Sequence, residues 1–147
     1  MWTRPPWALA FTWCEDRLLL SDMPVVSIVD DDPSMRLATD RLVRSLGYAA
    51  HAYASAKDFL ESPHAADTRC LIADVQMPGM SGLELQEHLL TQGRHIPVIL
   101  ITAFPEERAR ERALRAGALC FLTKPIDAPT LIQYLNRAVS HDGKGRA

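Results

Sequence analysis

Residues 70–82 read Cys70-Leu71-Ile72-Ala73-Asp74-Val75-Gln76-Met77-Pro78-Gly79-Met80-Ser81-Gly82. A short apolar run bounded by turn residues is typical of a buried strand. The turn after it is rich in proline and glycine, and Ser81 is placed to cap a helix that reaches about Thr91. Asp74 therefore lies where a buried strand meets its loop, the end at which open α/β sheets bind ligands. Aspartate is also a common turn or capping residue, so this stretch alone leaves both roles open.

Similar strand and helix patterns flank this stretch on both sides. Strands are predicted at residues 25–29, 48–53, 71–73, 98–101 and 120–122. Helices are predicted at residues 33–46, from residue 55, and at 81–91, 106–116 and 127–139. Five β-α units predict an α/β fold, a doubly wound five-stranded parallel sheet with helices on both faces. We expect the strand order 2-1-3-4-5 in a flavodoxin-like three-layer sandwich, with a crevice at the carboxyl ends of strands 1 and 3.

Two of the predicted helices have informative patterns. In the helix 33–46, Asp32 is the expected N-cap and Pro33 takes the first position. Its inner face is expected to consist of Met35, Ala38, Leu42 and Leu46. The helix 106–116 is charged, with the i,i+4 pairs Glu106–Arg110 and Glu111–Arg115. Its inner face offers mainly Ala109, Ala113 and Ala116 with Leu114 beside them, so we expect weak packing.

The composition is that of a globular domain with one core. The chain has 147 residues, 48% hydrophobic and 23% charged, with a net charge of −2. There is no basic block, so direct nucleic-acid binding is not expected. No apolar stretch is long enough to span a membrane. Cys14, Cys70 and Cys120 lie far apart without a CxxC pair, which fits reduced thiols and a cytoplasmic location.

The two ends of the chain differ from the middle. Residues 1–23 contain all three tryptophans and faintly resemble a signal peptide, but the apolar stretch is short and broken by Thr12. We interpret residues 1–23 as an appendage, either disordered or preceding a true start at Met23. The domain is then expected over residues 24–140. Residues 141–147 are polar and contain glycine, which is typical of a flexible tail.

Candidate functional side chains fall at the carboxyl ends of four predicted strands. They are Asp30 and Asp31 after strand 1, Asp74 after strand 3, Thr102 after strand 4 and Lys124 after strand 5. Each has an ordinary alternative, since the acids could cap, the threonine could bond the backbone and the lysine could be a solvated surface charge. In a doubly wound sheet, however, these strand ends share one rim. Their joint placement therefore favours one polar site.

Four segments together resemble the receiver domain of two-component response regulators. They are Ile28–Arg36, Asp74–Leu85, Pro97–Ala103 and Gly117–Pro125, and the resemblance covers residues 24–140. Within that family the chain most resembles receivers of the nitrogen-fixation FixJ type, which usually precede a DNA-binding domain. The expected strand order is also that of this family, so the two expectations are not independent.

The resemblance assigns a role to each candidate. Asp74 is implied as the phosphoacceptor, which attacks a phosphoryl group and forms an acyl phosphate. Asp30, Asp31, Asp74 and the main-chain carbonyl of Gln76 are implied to bind Mg²⁺. Thr102, Ala103 and Lys124 are implied to contact the phosphoryl oxygens, and Lys124-Pro125 is implied to be a cis peptide.

The resemblance also implies a switch and its partners. Thr102 and Phe121 correspond to the switch pair of the family, beside the weakly packed helix 106–116. The implied partners are a sensor histidine kinase or phosphotransfer protein, and a downstream protein target. Residues 106–140 are implied as a surface for a phosphorylation-dependent homodimer.

Several features separate this chain from related functions. Few residues follow Val139, so no output domain is visible and DNA binding cannot be carried over. The bulky residues Gln76 and Phe104 occupy positions that tune phosphate lifetime in the family. A Mg²⁺-dependent aspartyl-phosphate phosphohydrolase would need a second acid at residue 76. A vestigial binding module is disfavoured by the intact set, and a dinucleotide site lacks its glycine motif. A regulatory fragment of a transcription regulator remains an alternative.

Overall fold

Five strands alternate with five helices in the computed structural model, which describes residues 23–145, with side chains to residue 140. The strands are β1 Val25–Val29, β2 Ala49–Tyr53, β3 Thr68–Asp74, β4 Val98–Thr102 and β5 Cys120–Thr123. The helices are α1 Pro33–Ser45, α2 Ala56–Leu60, α3 Gly82–Thr91, α4 Glu107–Arg115 and α5 Ala128–Gly145. A short 3-10 turn, Ala65–Asp67, precedes β3. The interpretation of residues 1–23 falls almost entirely outside this range and stays a prediction.

The strands form one parallel sheet in the order β2-β1-β3-β4-β5. This order confirms the predicted doubly wound topology. Every residue of β4 is buried, as expected for a strand covered on both faces. The less hydrophobic β2 lies at one edge. Because β1 and β3 are neighbours, Val29 lies beside Ala73 and the two strands end together.

The side chains of the strands alternate between two apolar clusters, one on each face of the sheet. On one face Leu71, Ala73 and Leu100 pack with Leu85 and Leu89 of α3. The opposite cluster joins strand residues to α1 and α5 and includes Ile72, Ile99, Val43, Leu131 and Leu135. The three-layer sandwich is therefore confirmed. Both described cysteines, Cys70 and Cys120, are buried, and burial raises the pKa of Cys120 to about 12.

Local capping signals fix the starts of α1, α2 and α3. Asp32 accepts hydrogen bonds from the main-chain N–H groups of Ser34 and Met35, and Pro33 is the first helical residue, as predicted. Ser81 and Glu84 form a capping box at the start of α3. The cap at Ser55 is also confirmed, although α2 extends only to Leu60. These caps orient the helices that follow β1 and β3.

The predicted inner face of α1 is wrong at one position. Ala38 is exposed, whereas Thr39 and Val43 are buried. The buried row continues from Met35 in steps of four residues, and Ala38 points about 100° away from it. Thr39 was missed because it is polar. Its hydroxyl donates to the carbonyl of Met35 at 2.8 Å, so its burial leaves no unpaired donor.

Helix α5 extends further than predicted. It continues to Gly145, whereas we predicted its end near residue 139. The backbone of residues 141–145 is therefore helical, and the flexibility predicted for residues 141–147 stays untested.

The ion pairs predicted within α4 are wrong. Glu106 precedes the helix in an extended conformation, so Arg110 pairs instead with Glu107 at 3.6 Å. Among the described residues, Glu111 and Arg115 do not form an ion pair, and both are exposed. Ala113 is buried as predicted.

Helix α4 is attached to α3 by two polar contacts that were not predicted. Arg112 binds Glu87 through two hydrogen bonds of 2.6 and 2.7 Å. The amide nitrogen of Gln86 donates to the carbonyl of Ala113 at 3.1 Å. The apolar side of this helix is thin, since Leu114 is 40% exposed. Few apolar contacts and two polar links therefore hold α4 in place.

Candidate functional site

The four predicted strand ends meet at one rim of the sheet. Asp74 is the last residue of β3, Thr102 is the last of β4, and Lys124 immediately follows β5. Main-chain hydrogen bonds join these ends, from Val75 to the carbonyl of Ile101 at 2.8 Å and from Lys124 to that of Thr102 at 2.8 Å. The side chains are therefore positioned by the sheet and not by a free loop.

Asp74 is buried next to a lysine and a second acid. Its residue is 6% exposed, and its Oδ2 accepts a hydrogen bond from Lys124 Nζ at 3.0 Å. The same Nζ donates to Oδ2 of Asp30 at 3.3 Å. One ammonium group thus bridges two buried carboxylates, which would otherwise repel each other.

The pKa values of this group reflect its burial. Burial raises the pKa of Asp74, the hydrogen bond and charge of Lys124 oppose that rise, and the charge of Asp30 adds to it. Burial alone would lower the pKa of Lys124, but the hydrogen bonds and charges of Asp74 and Asp30 outweigh it and raise that pKa. Lys124 therefore stays cationic at neutral pH. Asp74 is more basic than a surface aspartate, which favours its use as a nucleophile.

Three carboxylates could hold a metal ion. Asp30, Asp31 and Asp74 each offer one oxygen, and these oxygens lie within 4.8 Å of one another. Asp31 is exposed and the other two are buried. Main-chain N–H groups orient the buried pair, because Asp30 Oδ1 accepts from the N–H of Asp32 at 3.0 Å and Asp74 Oδ1 from that of Gln76 at 3.1 Å. A cluster of hard oxygen donors open to solvent on one side fits Mg²⁺ with part of its water shell.

Thr102 is held in a different way from the acids. It is completely buried, and its hydroxyl donates to the side-chain oxygen of Gln76 at 2.6 Å. The same hydroxyl oxygen accepts a hydrogen bond from the N–H of Phe104 at 3.0 Å. Ala103, between them, is exposed. The hydroxyl therefore uses its single donor proton and one acceptor lone pair within the protein.

The remaining predicted residues take the following positions. Phe121 is partly buried and packs against the apolar cluster that contains Leu100. The Lys124–Pro125 peptide bond is cis, as the resemblance implied. The metal-binding role of the Gln76 carbonyl stays a prediction.

Three structural contributors to the site were missed in the sequence. Arg36 Nη1 donates to the carbonyl of Asp30 at 2.8 Å, and its charge gave no indication of that partner. The side chain of Gln76 binds Thr102, a contact that spans 26 residues. At Gly82, a β-carbon would lie within 3.0 Å of the main-chain oxygen of Asp74. A glycine directly after the capping serine was the one signal available for the last of these.

Comparison with known proteins identifies the family. The sequence profile described as the response regulator receiver domain matches residues 26–136, which is more than half of the chain. The chain belongs to this family. As a receiver domain of two-component systems, its general function is the relay of a phosphoryl group through an aspartate.

Curated and solved relatives agree with this assignment. The receiver domain is 38% identical to nodulation protein W of Bradyrhizobium diazoefficiens over 126 residues, 86% of this chain and 56% of that protein. It is 37% identical to transcriptional regulatory protein FixJ of Azorhizobium caulinodans over 107 residues, 73% of this chain and 51% of that protein. The structure of a response regulator receiver protein from Burkholderia phymatum matches with a TM-score of 0.69 and 41% identity, covering 80% of this chain and 95% of that one.

Two further facts concern the length of the matched relatives and the helices of the described chain. The chain spans about half the length of the curated relatives it matches. Across residues 23–145 of the receiver domain, no helix combines the length and the apolar character needed to cross a membrane.

Proposed function

We propose that Asp74 accepts a phosphoryl group from a sensor histidine kinase or a phosphotransfer protein. One observation supports this proposal above all: the buried Asp74 accepts a hydrogen bond from Lys124 and lies beside Asp30 and Asp31. A turnover enzyme is not proposed. In an Asp-based phosphohydrolase residue 76 would be a second acid, whereas here it is Gln76, whose side chain is bonded to Thr102.

The chemistry follows from the charges of the site. A carboxylate oxygen of Asp74 forms a bond to phosphorus, the bond from phosphorus to the donor breaks, and the donor keeps that electron pair. Asp30, Asp31, Asp74 and the main-chain carbonyl of Gln76 would hold Mg²⁺, which would supply positive charge against the anionic donor and nucleophile. Lys124 is within reach of Asp74 and neutralises a phosphoryl oxygen. Ala103, next to Thr102, offers its main-chain N–H to another oxygen.

The output of this receiver is a change at a protein-binding surface. Thr102 turns toward the phosphoryl group, and Phe121 moves into the space near it. Both adjoin α4, which few apolar contacts and two polar links attach to the domain. The surface formed by residues 106–140 then binds a downstream protein or a second copy of this chain. Direct nucleic-acid binding by residues 24–140 is not part of the proposal.

A second candidate places the same switch in a longer protein. The chain spans about half of relatives such as transcriptional regulatory protein FixJ. In that case the receiver is the regulatory part of a transcription regulator, and the surface 106–140 contacts an attached output domain. Dimerisation of the receiver on phosphorylation fits both candidates.

The phosphoacceptor is tested with a small acyl phosphate as donor and Mg²⁺. We expect intact-mass measurement to show one added phosphoryl group on the full chain, and none on Asp74→Asn. Asp67→Asn is the matched control, since Asp67 is exposed and precedes β3, at the opposite end of that strand from Asp74. Labelling that survives Asp74→Asn, or that needs no divalent ion, contradicts the proposal.

The switch is tested by amide hydrogen exchange with a phosphoryl mimic, beryllium fluoride, and Mg²⁺. We expect the changes mainly in residues 102–125, with little response in α1. Thr102→Ala should weaken this response and leave Asp74 able to accept phosphate. Changes confined to residues 30–32 and 74–82 would show that the site binds phosphate without switching.

A further inference from the structure

The hydroxyl of Thr102 has no proton free to donate in a further hydrogen bond in this structure. It donates its one proton to the side-chain oxygen of Gln76 at 2.6 Å, and its oxygen accepts from the N–H of Phe104 at 3.0 Å. Thr102 itself is completely buried. The donor capacity of a threonine hydroxyl is a single hydrogen bond, and here it is used.

A phosphoryl group on Asp74 would require the same proton. Its peripheral oxygens are acceptors, so the Thr102 hydroxyl can bind them only as a donor. The hydroxyl cannot donate to Gln76 and to a phosphoryl oxygen at once with good geometry. The Gln76 oxygen and the phosphoryl group therefore compete for Thr102.

We infer that Gln76 is a positioning residue that retains the Thr102 hydroxyl in the unphosphorylated state and so opposes switching. The inference rests on the proposed role of Asp74 and adds a specific restraint to it. Gln76 is suited to this task because it contacts both residues. Its main-chain N–H donates to Asp74 Oδ1 at 3.1 Å, while its side chain holds Thr102.

Breaking the hydrogen bond between Gln76 and Thr102 also affects the loop before α4. When the hydroxyl turns away from Gln76, its oxygen moves, and the N–H of Phe104 loses its acceptor. Phe104 is 70% exposed, and α4 begins at Glu107, three residues later. The Gln76–Thr102 bond therefore restrains the chain that enters α4 as well as the hydroxyl.

The restraint is modest in size. Gln76 is exposed, so water can replace its side-chain oxygen as a partner. A net contribution typical of one such hydrogen bond corresponds to about a two- to tenfold shift in an equilibrium constant. That is enough to tune a switch and too little to block it.

The substitution that tests this inference is Gln76→Met. Methionine keeps the length of the side chain but removes the acceptor. It therefore separates the hydrogen bond from the bulk that shields the site. Thr102→Val removes the hydroxyl and keeps the shape of the side chain, and it gives the second edge of a double-mutant cycle.

The measurement is a titration of the full chain with beryllium fluoride in excess Mg²⁺, followed by the amide resonances of Phe104 and Phe121. We expect Gln76→Met to tighten apparent binding about two- to tenfold. It should have no effect in the Thr102→Val background. The Phe104 amide should shift in Gln76→Met even without beryllium fluoride, because the hydroxyl that accepts its hydrogen bond is released.

The outcomes are distinct. Equal binding by Gln76→Met and the natural sequence overturns the inference and leaves the proposed function intact. Tighter beryllium fluoride binding that Gln76→Met also causes in the Thr102→Val background overturns the inference as well. The effect would then come from the shape of the side chain at residue 76 and not from its hydrogen bond to Thr102. If none of the variants binds beryllium fluoride and the natural sequence accepts no phosphoryl group, the proposed function fails and the inference fails with it. Tighter beryllium fluoride binding by Gln76→Met that appears only when residue 102 is threonine supports the inference.

Discussion

The main-chain oxygen of Asp74 occupies the space that a β-carbon at Gly82 would need. The gap would be less than 3.0 Å, a distance that real β-carbons essentially never show. The carbonyl carbon of Asp74 and Cδ2 of Leu100 would follow at 3.0 and 3.1 Å. Gly82 is the first residue of α3, and its N–H donates to the carbonyl of Val75 at 3.2 Å. Helix α3 therefore approaches the end of β3 this closely only because residue 82 has no side chain.

Gly82→Ala should harm both stability and phosphorylation. The added methyl group must push α3 away from β3, and overpacking of this kind costs about 1–3 kcal/mol. Because the displaced atoms belong to the phosphoacceptor, we expect slower phosphorylation of Asp74 at saturating donor. Denaturant unfolding and intact-mass kinetics measure the two effects.

Gly93→Ala is the control for this prediction. Gly93 lies two residues after the end of α3, with φ +75, and has open space where a β-carbon would lie. Alanine there costs about 1–2 kcal/mol through backbone strain alone. We expect it to lose stability and to keep its phosphorylation rate. Equal rates for both variants would contradict the link between Gly82 and the site.

Much of the fold could be predicted because its signals are local. The wholly apolar run 98–101 indicated a strand covered on both faces, and Asp32 with Pro33 marked the start of α1. Ser81 marked the start of α3 in the same way. The site followed from these elements, since parallel strands bring their carboxyl ends to one rim. The strand order itself also drew on the family resemblance.

The contacts that sequence reasoning missed are distant in the chain or depend on side-chain direction. Gln76 and Thr102 are 26 residues apart, and Arg112 and Glu87 are 25 apart. The α4 pairs were predicted from spacing alone, but the backbone of Glu106 lies outside the helix. Spacing predicts which residues can meet within one element. It does not predict which partner a neighbouring element offers.

Asp31 should be the acid whose loss removes metal binding at least cost to the fold. It belongs to the three-carboxylate cluster and is the exposed member. We expect Mg²⁺ to raise the thermal midpoint of the natural sequence, since a ligand that binds only the native state stabilises it. Asp31→Asn should abolish this rise and leave the metal-free midpoint nearly unchanged.

Asp32→Asn is the matched control for Asp31→Asn. It makes the same change of charge one residue later, outside the cluster. Asn is also a good N-cap, so the start of α1 should be kept. We expect the Mg²⁺ response to persist in Asp32→Asn. Loss of the response in both variants would point to net charge and not to a specific site.

A stacked pair of histidines lies at the edge strand β2. The rings of His51 and His64 are 4.1 Å apart and nearly parallel, at 5°. Burial lowers the pKa of His51, and the charges of His64 and Arg44 lower it further, against smaller opposing effects of Asp40 and Asp67. The folded state therefore resists protonation of His51 more than the unfolded state does.

The free energy of unfolding should fall as the pH drops through the unfolded pKa of histidine, about 6.5, toward the lower folded pKa of His51. Above that range His51 does not change the free energy of unfolding, because it is neutral in both the folded and the unfolded state. His51→Gln should make the fall shallower, and His95→Gln, at an exposed histidine elsewhere, should not. Denaturant unfolding between about pH 5 and 8 measures this. Identical pH profiles for all three proteins would exclude the stacked pair as a cause.

The pair formed by Arg112 and Glu87 should contribute measurably to the attachment of α4. Its two hydrogen bonds of 2.6 and 2.7 Å have the forked geometry that makes an exposed pair effective. Because both side chains are more than one-third exposed, the contribution is limited to about 0.5–1 kcal/mol. Arg112→Gln should therefore lower the free energy of unfolding by about that amount near pH 7.

The same pair predicts a pH dependence. The hydrogen bond from Arg112 lowers the pKa of Glu87 below its usual 4.5, and the charge of Arg112 also lowers it. The stabilisation is then present above about pH 4.5 and is lost as the pH falls through the lowered folded pKa. The difference between the natural sequence and Arg112→Gln should shrink toward about pH 3. Arg115→Gln, at an exposed residue of the same helix, should show no such convergence. A difference that stays constant with pH would mean that Arg112 stabilises the helix by packing and not through Glu87.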